Sequence, residues 1–478
     1  MTRASWLELI NPGHRGHERS EWKDRMLTRE DNELMCRVGP GTPMGNLMRE
    51  YWIPAIRSDE LPAPDSPPMR LRLLGENLIA FRATAGSVGI VRDACPHRGA
   101  SLFFGRNEED GIRCVYHGWK FDVSGTCVDM PSEPAESNFR SKVKAVAYPC
   151  IERNNVVWTY MGPRKKPPPL PNFAPNLFSN CIVTKSVREC SYMQALEGDV
   201  DTVHFPFLHA GADRFDEYPR GSESYYGLRQ RYAAMEVREI EAGVSYGAYR
   251  PAEEGTSYWR MGHFILPFYT YNAPKILTQR NTGSVWVPID DYHMMLWVMV
   301  VPQSPETYGT RAIGGVFAAP KIGHAPPSDE YENQEINSSL FAESTSDWIG
   351  RFRLKQNLRN DYLIDREAQA RKVTYTGMPN GADPEDRAMQ ETMGPIYDRT
   401  SEHLGTTDAM IIQCRRKLIN AAKSFRDNGI LPSNVDNPDL FYMYSGGAIV
   451  PSDVSGLDYC GDILFARTET LEIPASGS

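Results

Sequence analysis

At 478 residues the chain has room for two or three domains of about 150 residues, each able to bury a core. Hydrophobic residues at 41% and charged residues at 24% are the proportions of a soluble enzyme, and the net charge of −9 (52 basic against 61 acidic residues) argues against nucleic acid as a partner. No apolar run reaches the roughly 18 residues of a membrane span, and Met1–Trp6 lacks the apolar core of a secretory signal, so the expected address is cytoplasmic.

Residues 1–45 form a polar N-terminal segment with a short helix predicted over Glu30–Arg37. Strands follow: Met69–Leu73 alternates apolar and basic, Gly75-Glu76-Asn77 turns the chain, and Leu78–Phe81 and Val88–Val91 continue the pattern. Short strands with glycine-containing turns predict a small antiparallel β domain over residues 46–165. It ends in a proline-rich linker that begins at Gly162-Pro163 and reaches Pro169.

Inside this domain, Cys95-Pro96-His97 is followed after sixteen residues by Cys114-Val115-Tyr116-His117. Structural zinc groups like ligands on one loop, whereas here each loop supplies one Cys and one His. That mixed set suits a [2Fe–2S] cluster with both Cys on one iron and both His on the other. Neutral imidazoles lower the negative charge at their iron, which lifts the potential of such centres to about −150 to +300 mV. Of the nine cysteines, Cys36, Cys150, Cys181, Cys190, Cys414 and Cys460 have no ligand partner at useful spacing, apart from the loose Cys181/Cys190 pair, and read as buried small hydrophobes.

The remainder, 166–478, mixes strands and helices and is predicted to be an α+β catalytic domain. Its concentrated chemistry is Glu197-Gly198-Asp199-Val200-Asp201-Thr202-Val203-His204-Phe205-Pro206-Phe207-Leu208-His209. A helix places Glu197, Asp201 and His204 on one face. His209 then lies about 140° further round, and Pro206 is expected to break the helix so that both imidazoles converge. Two His and a carboxylate on one octahedral face form the Fe(II) arrangement that activates dioxygen; the bland alternative is an amphipathic helix with His204 paired to Asp201. Downstream, Phe268–Tyr271, Ser284–Pro288 and Met294–Val301 read as strands, and Asp347–Lys372 and Ala409–Phe425 as helices, with a loop at Thr374–Asp383. In Asp383-Pro384-Glu385-Asp386, Asp383 suits an N-cap, Pro384 the first helical position, and the acids the helix dipole.

The motif Cys95-Pro96-His97-Arg98-Gly99-Ala100 with Cys114-Val115-Tyr116-His117-Gly118-Trp119-Lys120-Phe121 and Gly125-Thr126-Cys127 resembles the Rieske motif with its flanks. Leu196–His204, Asp383–Glu391, Met393–Gly405 and Trp286–Asp291 resemble the phthalate 4,5-dioxygenase branch of the aromatic-ring-hydroxylating oxygenase α-subunits. The resemblance runs from about Gly39 to Phe425. It implies a small antiparallel Rieske domain plus a helix-grip (START-like) catalytic domain, and a homotrimer or stacked hexamer. It implies cluster ligands Cys95, His97, Cys114 and His117, iron ligands His204, His209 and Asp386, and Asp201 as the carboxylate bridging to a cluster histidine of the neighbouring subunit. Asp365 and Asp398 remain open as alternatives to Asp386, and Cys127 is implied to pack beneath the cluster.

What the resemblance implies for function is an oxygenase component that uses dioxygen and hydroxylates an aromatic, typically acidic, substrate. Electrons come from an NADH-dependent reductase with flavin and ferredoxin domains; no Gly-x-Gly-x-x-Gly fingerprint places NADH on this chain. An O-demethylating monooxygenase is the near alternative. A Rieske electron carrier without catalysis and a zinc-stabilised binding protein are the distant ones.

Overall fold

The structure, a computed structural model, describes residues 27–134, 136–273, 277, 281–301 and 340–465. Most of the predicted segment 1–45 and its start therefore lie outside the described residues. Thr28 and Thr42 accept the backbone N–H groups of Asp31 and Gly45 and so open helices α1 (Arg29–Cys36) and α2 (Pro43–Arg49).

The next eleven strands are short. They are β1 (Trp52–Arg57), β2 (Met69–Leu73), β3 (Glu76–Arg82), β4 (Val88–Arg92), β5 (Arg106–Glu108), β6 (Gly111–Arg113), β7 (Lys120–Phe121), β8 (Cys127–Asp129), β9 (Ala147–Tyr148), β10 (Cys150–Arg153) and β11 (Val156–Tyr160). They pair antiparallel in three sheets ordered β1-β11-β10, β2-β3-β4-β9 and β5-β6-β7-β8. The run Leu78-Ile79-Ala80-Phe81 is apolar at every position because β3 is buried on both faces. Ile79 and Phe81 join Val91, Leu102, Ile112 and Phe121 in a small core around Cys95 and Cys114, whereas Leu78, Ala80 and Ile90 face the large core of the molecule. The proline-rich stretch crosses between these sheets and the rest without regular structure, held where Trp52 Nε1 donates to Pro168 O at 2.8 Å.

The larger half is built on one antiparallel sheet. Its strands are β12 (Ile182–Arg188), β13 (Ala234–Ile240), β14 (Gly243–Pro251), β15 (Thr256–Ile265), β16 (Tyr269–Tyr271), β17 (Asn281–Pro288), β18 (Met294–Val301) and β19 (Gly446–Pro451), ordered β12-β18-β17-β16-β15-β14-β13 with β19 on β15. Between β12 and β13 come helices α3 (Tyr192–Val200), α4 (Phe205–Leu208) and α5 (Glu223–Arg229); after β18 come α6 (Arg366–Ala370), α7 (Ala382–Thr392) and α8 (Ala409–Asn428). Met410, Cys414, Leu418 and Ala422 recur every fourth residue on α8, are buried, and lay the helix against β13 and β14. Gly429, at φ +68°, ends it with the Gly429 N–H donating to Phe425 O. A small antiparallel β domain beside a large antiparallel sheet with a long helix is the expected α+β class.

The two halves meet where the Leu74 and Gly75 N–H groups donate to Pro288 O and Ile289 O at 3.1 and 2.9 Å, and where Arg72 pairs with Asp290 at 3.1 Å. Met393–Gly405 and Trp286–Asp291 contribute to this scaffold. Arg399, fully buried, holds Glu197, and Asp291 Oδ1 accepts the Val38 N–H at 2.9 Å.

The helix expected over Asp347–Lys372 does not form. The chain makes a 3-10 turn at Leu358–Leu363 and then only the five residues of α6. Phe352, Asp361, Tyr362, Leu363 and Lys372 all have positive φ, and the Asn357 and Asp365 side chains bond nearby backbone N–H groups, opening new turns instead of continuing one helix.

Candidate metal centres

The two Cys–His loops have the same internal wiring. In the first, Cys95 N–H donates to Ala100 O and Gly99 N–H donates to Cys95 O, both at 2.8 Å; in the second, Cys114 N–H donates to Trp119 O and Gly118 N–H to Cys114 O, both at 2.9 Å. Gly99 and Gly118 turn the loops with φ of +78° and +80°, and a Cβ on Gly118 would lie 2.7 Å from Pro131 Cγ. The loops lie back to back: both cysteines are buried, and the rings of His97 and His117 are 4.4 Å apart. His97 stacks on Trp119 at 4.3 Å, and Trp119 is fixed by its Nε1–H donating to Ser132 Oγ. Burial, with Cys114 alongside, pushes the Cys95 thiol up to about 11. His117 Nδ1 is sealed from water without a hydrogen-bond partner. Such a nitrogen is costly unless something is bound to it, and a pair of buried thiols beside two imidazoles is the donor set of a mixed-ligand [2Fe–2S] cluster. Cys127, buried in the same core, donates its S–H to Asp129 O at 3.4 Å.

The second constellation is assembled from segments far apart in sequence. Helix α3 ends at Val200, with Asp201 as its cap, and Pro206 lies in the first turn of α4. The break therefore falls at Asp201–Val203, not at Pro206 as expected, because proline fits the first turn of a helix, where its missing N–H is not needed. The break also undoes the predicted common face. Glu197 points away from the histidines into a buried network with Arg399 and Arg415, at 2.9 and 2.7 Å, and these two cations hold its carboxyl below the usual range against the opposing effect of burial.

His204 Nε2 and His209 Nε2 lie 3.2 Å apart, with Asp386 Oδ1 at 3.5 and 3.1 Å from them. Among the described residues these three form a group able to hold one metal ion. Donors bound at about 2.1 Å and at right angles to one another are about 3 Å apart, so the triangle has the size of one face of an octahedron. The other ring nitrogens face carboxylates: His204 Nδ1 is 3.5 Å from Asp201 Oδ2, and His209 Nδ1 is 2.7 Å from Glu385 Oε2. With protons held on Nδ1, the three converging atoms are all acceptors, and a single metal ion satisfies them together. The same electrostatics show in His209, which is raised to about 9 by Asp386 and Glu385 although burial opposes the charge.

Asp201 Oδ1 accepts the Val203 N–H at 2.7 Å, and the side chain keeps 28% of its surface exposed. Its carboxyl is lowered by His204 against the effect of burial. Asp365 and Asp398 are used elsewhere: the first caps α6, and the second is exposed and accepts from Thr400. Asp383 is no N-cap, since α7 begins at Ala382 and Asp383 instead pairs with Arg188 at 2.8 Å. Glu385, read from sequence only as a helix-dipole acid, is the buried partner of His209. Its position beside Asp386 was visible, but its orientation was not. Also missed were Arg260 and Glu223, paired at 2.6 Å. Arg260 donates to Thr202 Oγ1 at 2.9 Å and lies over the Phe205 ring, so it braces the segment between Asp201 and His209.

Residues 51–149 match the family model of the Rieske [2Fe-2S] domain, and residues 159–325 and 322–453 match that of the LigXa C-terminal domain like family. The chain is 41% identical over 432 residues to the 3-chlorobenzoate-3,4-dioxygenase oxygenase subunit of Comamonas testosteroni, covering 90% of this chain and 96% of that one. It is 35% identical over 444 residues to the phthalate 4,5-dioxygenase oxygenase subunit of Pseudomonas putida (91% and 95% covered). It is 32% identical over 403 residues to the 5,5'-dehydrodivanillate O-demethylase oxygenase subunit of a Sphingobium species (82% and 80% covered). The terminal oxygenase of carbazole 1,9a-dioxygenase from Nocardioides aromaticivorans IC177 shares the fold, with a TM-score of 0.51 at 17% identity over 83% of this chain and 98% of that one.

Proposed function

The chain belongs to the Rieske aromatic ring-hydroxylating oxygenases as an oxygenase subunit, and on that premise we propose that it oxidises an aromatic acid with dioxygen and electrons from an NADH-dependent reductase. Cys95, Cys114, His97 and His117 hold the [2Fe–2S] cluster, and His204, His209 and Asp386 hold a mononuclear Fe(II). A cluster bound there would supply one-electron transfer, and an iron held by the second set would supply the activation of dioxygen. Residues 46–165 serve the first centre and 166–478 the second; the subunits form a homotrimer or hexamer in the cytoplasm. Asp201 orients His204 through Nδ1 and turns its exposed edge to a cluster histidine of the adjacent subunit. The observation that carries this reading is the three-acceptor face of His204, His209 and Asp386 in a chain that also contains the Cys–His loop pair.

The substrate class has support of its own. Arg250 and Tyr258 are register partners on β14 and β15, and Arg260 follows two residues after Tyr258, so both arginines share the sheet face that carries Thr202 and Phe205. Arg250 is 1% exposed, its Nε–H donates to Gln230 O at 2.8 Å, and among the described residues no carboxylate lies within ion-pair distance of it. Burial and the charge of Arg260 lower it to about 10. Glu223 pairs directly with Arg260 and reaches Arg250 only through its charge, so Arg250 is left with open donors to which a substrate carboxylate can bind. Two of the relatives carry names of aromatic acid dioxygenases, and the third is named an O-demethylase, which supports a second reading: oxidative removal of an O-methyl group from a methoxylated aromatic acid.

The test is a screen of chlorinated, dicarboxylic and methoxylated benzoates for coupled oxygen uptake with a surrogate reductase. A diol containing both labelled oxygen atoms supports dioxygenation, and formaldehyde release supports demethylation. Protein that takes up only one kind of iron centre, or none, under full loading would overturn the reading.

A further inference from the structure

The two histidines of the proposed iron site are held very differently. His204 Nδ1 faces Asp201 across 3.5 Å at a partly exposed edge. His209 Nδ1 faces Glu385 Oε2 at 2.7 Å, and the Glu385 side chain is only 7% exposed. The other Glu385 oxygen, Oε1, accepts from the Thr376 hydroxyl. That hydroxyl in turn accepts the Met378 N–H at 3.1 Å, which fixes its direction. The turn bearing Thr376 is pinned as well: Gly377 N–H donates to Thr374 Oγ1 at 3.0 Å, Asp365 N–H donates to Gly377 O at 2.8 Å, and Gly377 sits at φ +75° where a Cβ would meet Asp365 O at 2.4 Å.

We infer that Glu385, oriented by Thr376, is the positioning residue of the iron site: it keeps the His209 proton on Nδ1, aims the Nε2 lone pair at the ion and makes His209 the rigid ligand. The inference rests on the iron-site reading above. Its physical basis is that a hydrogen-bonded carboxylate behind a ligating imidazole fixes the ring and strengthens it as a donor, and loss of such a partner weakens metal binding about 10–100-fold. Glu385, in the first turn of α7, and Asp386, directly after it, are sequence neighbours, so one stretch of helix presents both a ligand and the support of another ligand. The buried Thr376 hydroxyl thus both caps its own turn, through the Met378 N–H, and donates to Glu385.

The full chain is stripped of mononuclear iron, reloaded anaerobically with Fe(II), and titrated against a chelator; the nitric oxide complex of the iron is then read by EPR. Glu385→Ala should bind Fe(II) about 10–100-fold more weakly. Glu385→Gln, which retains shape and a neutral acceptor, should be intermediate with an altered nitrosyl spectrum at unchanged melting temperature. Thr376→Val should shift affinity less, in the same direction, and the Rieske spectrum should stay constant throughout. Wild-type affinity and spectrum in the Glu385→Gln protein, while His209→Ala loses the iron, would overturn the inference and leave the iron site standing. Wild-type protein that takes up no iron in this titration overturns both.

Discussion

The Cys–His loops and the His–His–Asp face, the two proposed redox-metal centres, are built in opposite ways. Each loop is closed by hydrogen bonds spanning four or five residues, and the two loops bring sulfur and imidazole together. The proposed iron face joins α4 to α7, with His209 and Glu385 176 positions apart, and Asp201, Glu223 and Glu385 lie around its three members. A centre made of local turns depends on short-range geometry. A centre made of distant segments depends on the whole sheet that brings α3 and α7 together, where Gln194 Nε2–H donates to Gln390 O at 3.0 Å and Arg188 pairs with Asp383. The local centre should therefore be the more independent of the two.

The strongest way to break this contrast is to delete one ligand at each centre. Cys114→Ala is expected to lose the cluster's visible absorption completely while keeping chelatable mononuclear iron, and His209→Ala to do the reverse. Loss of both signals in either variant would show that the centres do not form separately. Asp201 sits where the two are proposed to communicate. Asp201→Asn should retain both metals by elemental analysis yet lose about 100-fold or more in turnover, because the amide cannot orient His204 as a carboxylate does.

Stability tests sharpen the comparison from the scaffold side. His263, buried on β15 between Ser245 Oγ (2.7 Å) and Tyr444 O (2.8 Å), is lowered to about 4 by burial. An unfolded histidine near 6.5 binds a proton that the folded one refuses, so stability should fall as pH drops from about 6.5 to about 4, by about 3 kcal/mol. The measurement is the melting temperature against pH for wild type and His263→Gln. The variant should show a flatter slope in this window, and identical slopes would assign the acid sensitivity elsewhere. Smallest is the effect on substrate handling: Arg250→Gln should raise KM for an aromatic acid about 10-fold, the worth of one charge-assisted hydrogen bond, with a smaller change in kcat. A neutral substrate analogue should be indifferent to the change.

The unevenness of what could be read follows the same divide. Cys95, His97, Cys114 and His117 stand in two short motifs whose flanking glycines are needed by the loops themselves, so spacing alone suggested their chemistry. His204 and His209 were legible as a pair, but the reason they converge was misplaced at Pro206, because proline disrupts a helix interior and also suits a first turn, and the sequence does not say which it will occupy. Asp386 was reachable only by resemblance, and Glu385 beside it passed as a dipole acid. The stretch Asp347–Lys372 looked helical from its composition, yet Asn357, Asp361 and Asp365 favour side-chain capping and left-handed backbone, and those local bonds prevailed.

By itself the sequence determined the local features: the paired Cys–His turns, the alternating strand β2 and the short strands β3 and β4 that follow it, the long helix α8, and the residue types offered to a metal. Each depends on backbone preferences and side-chain periodicity within a few residues. Only the tertiary structure decided that Asp386 and not Asp365 or Asp398 meets the histidines, that Glu197 turns inward to Arg399 and Arg415, and that Glu385 backs His209. Those choices follow from how the helices are seated on the sheet, where burial penalises every unpaired charge and so selects one partner for each carboxylate.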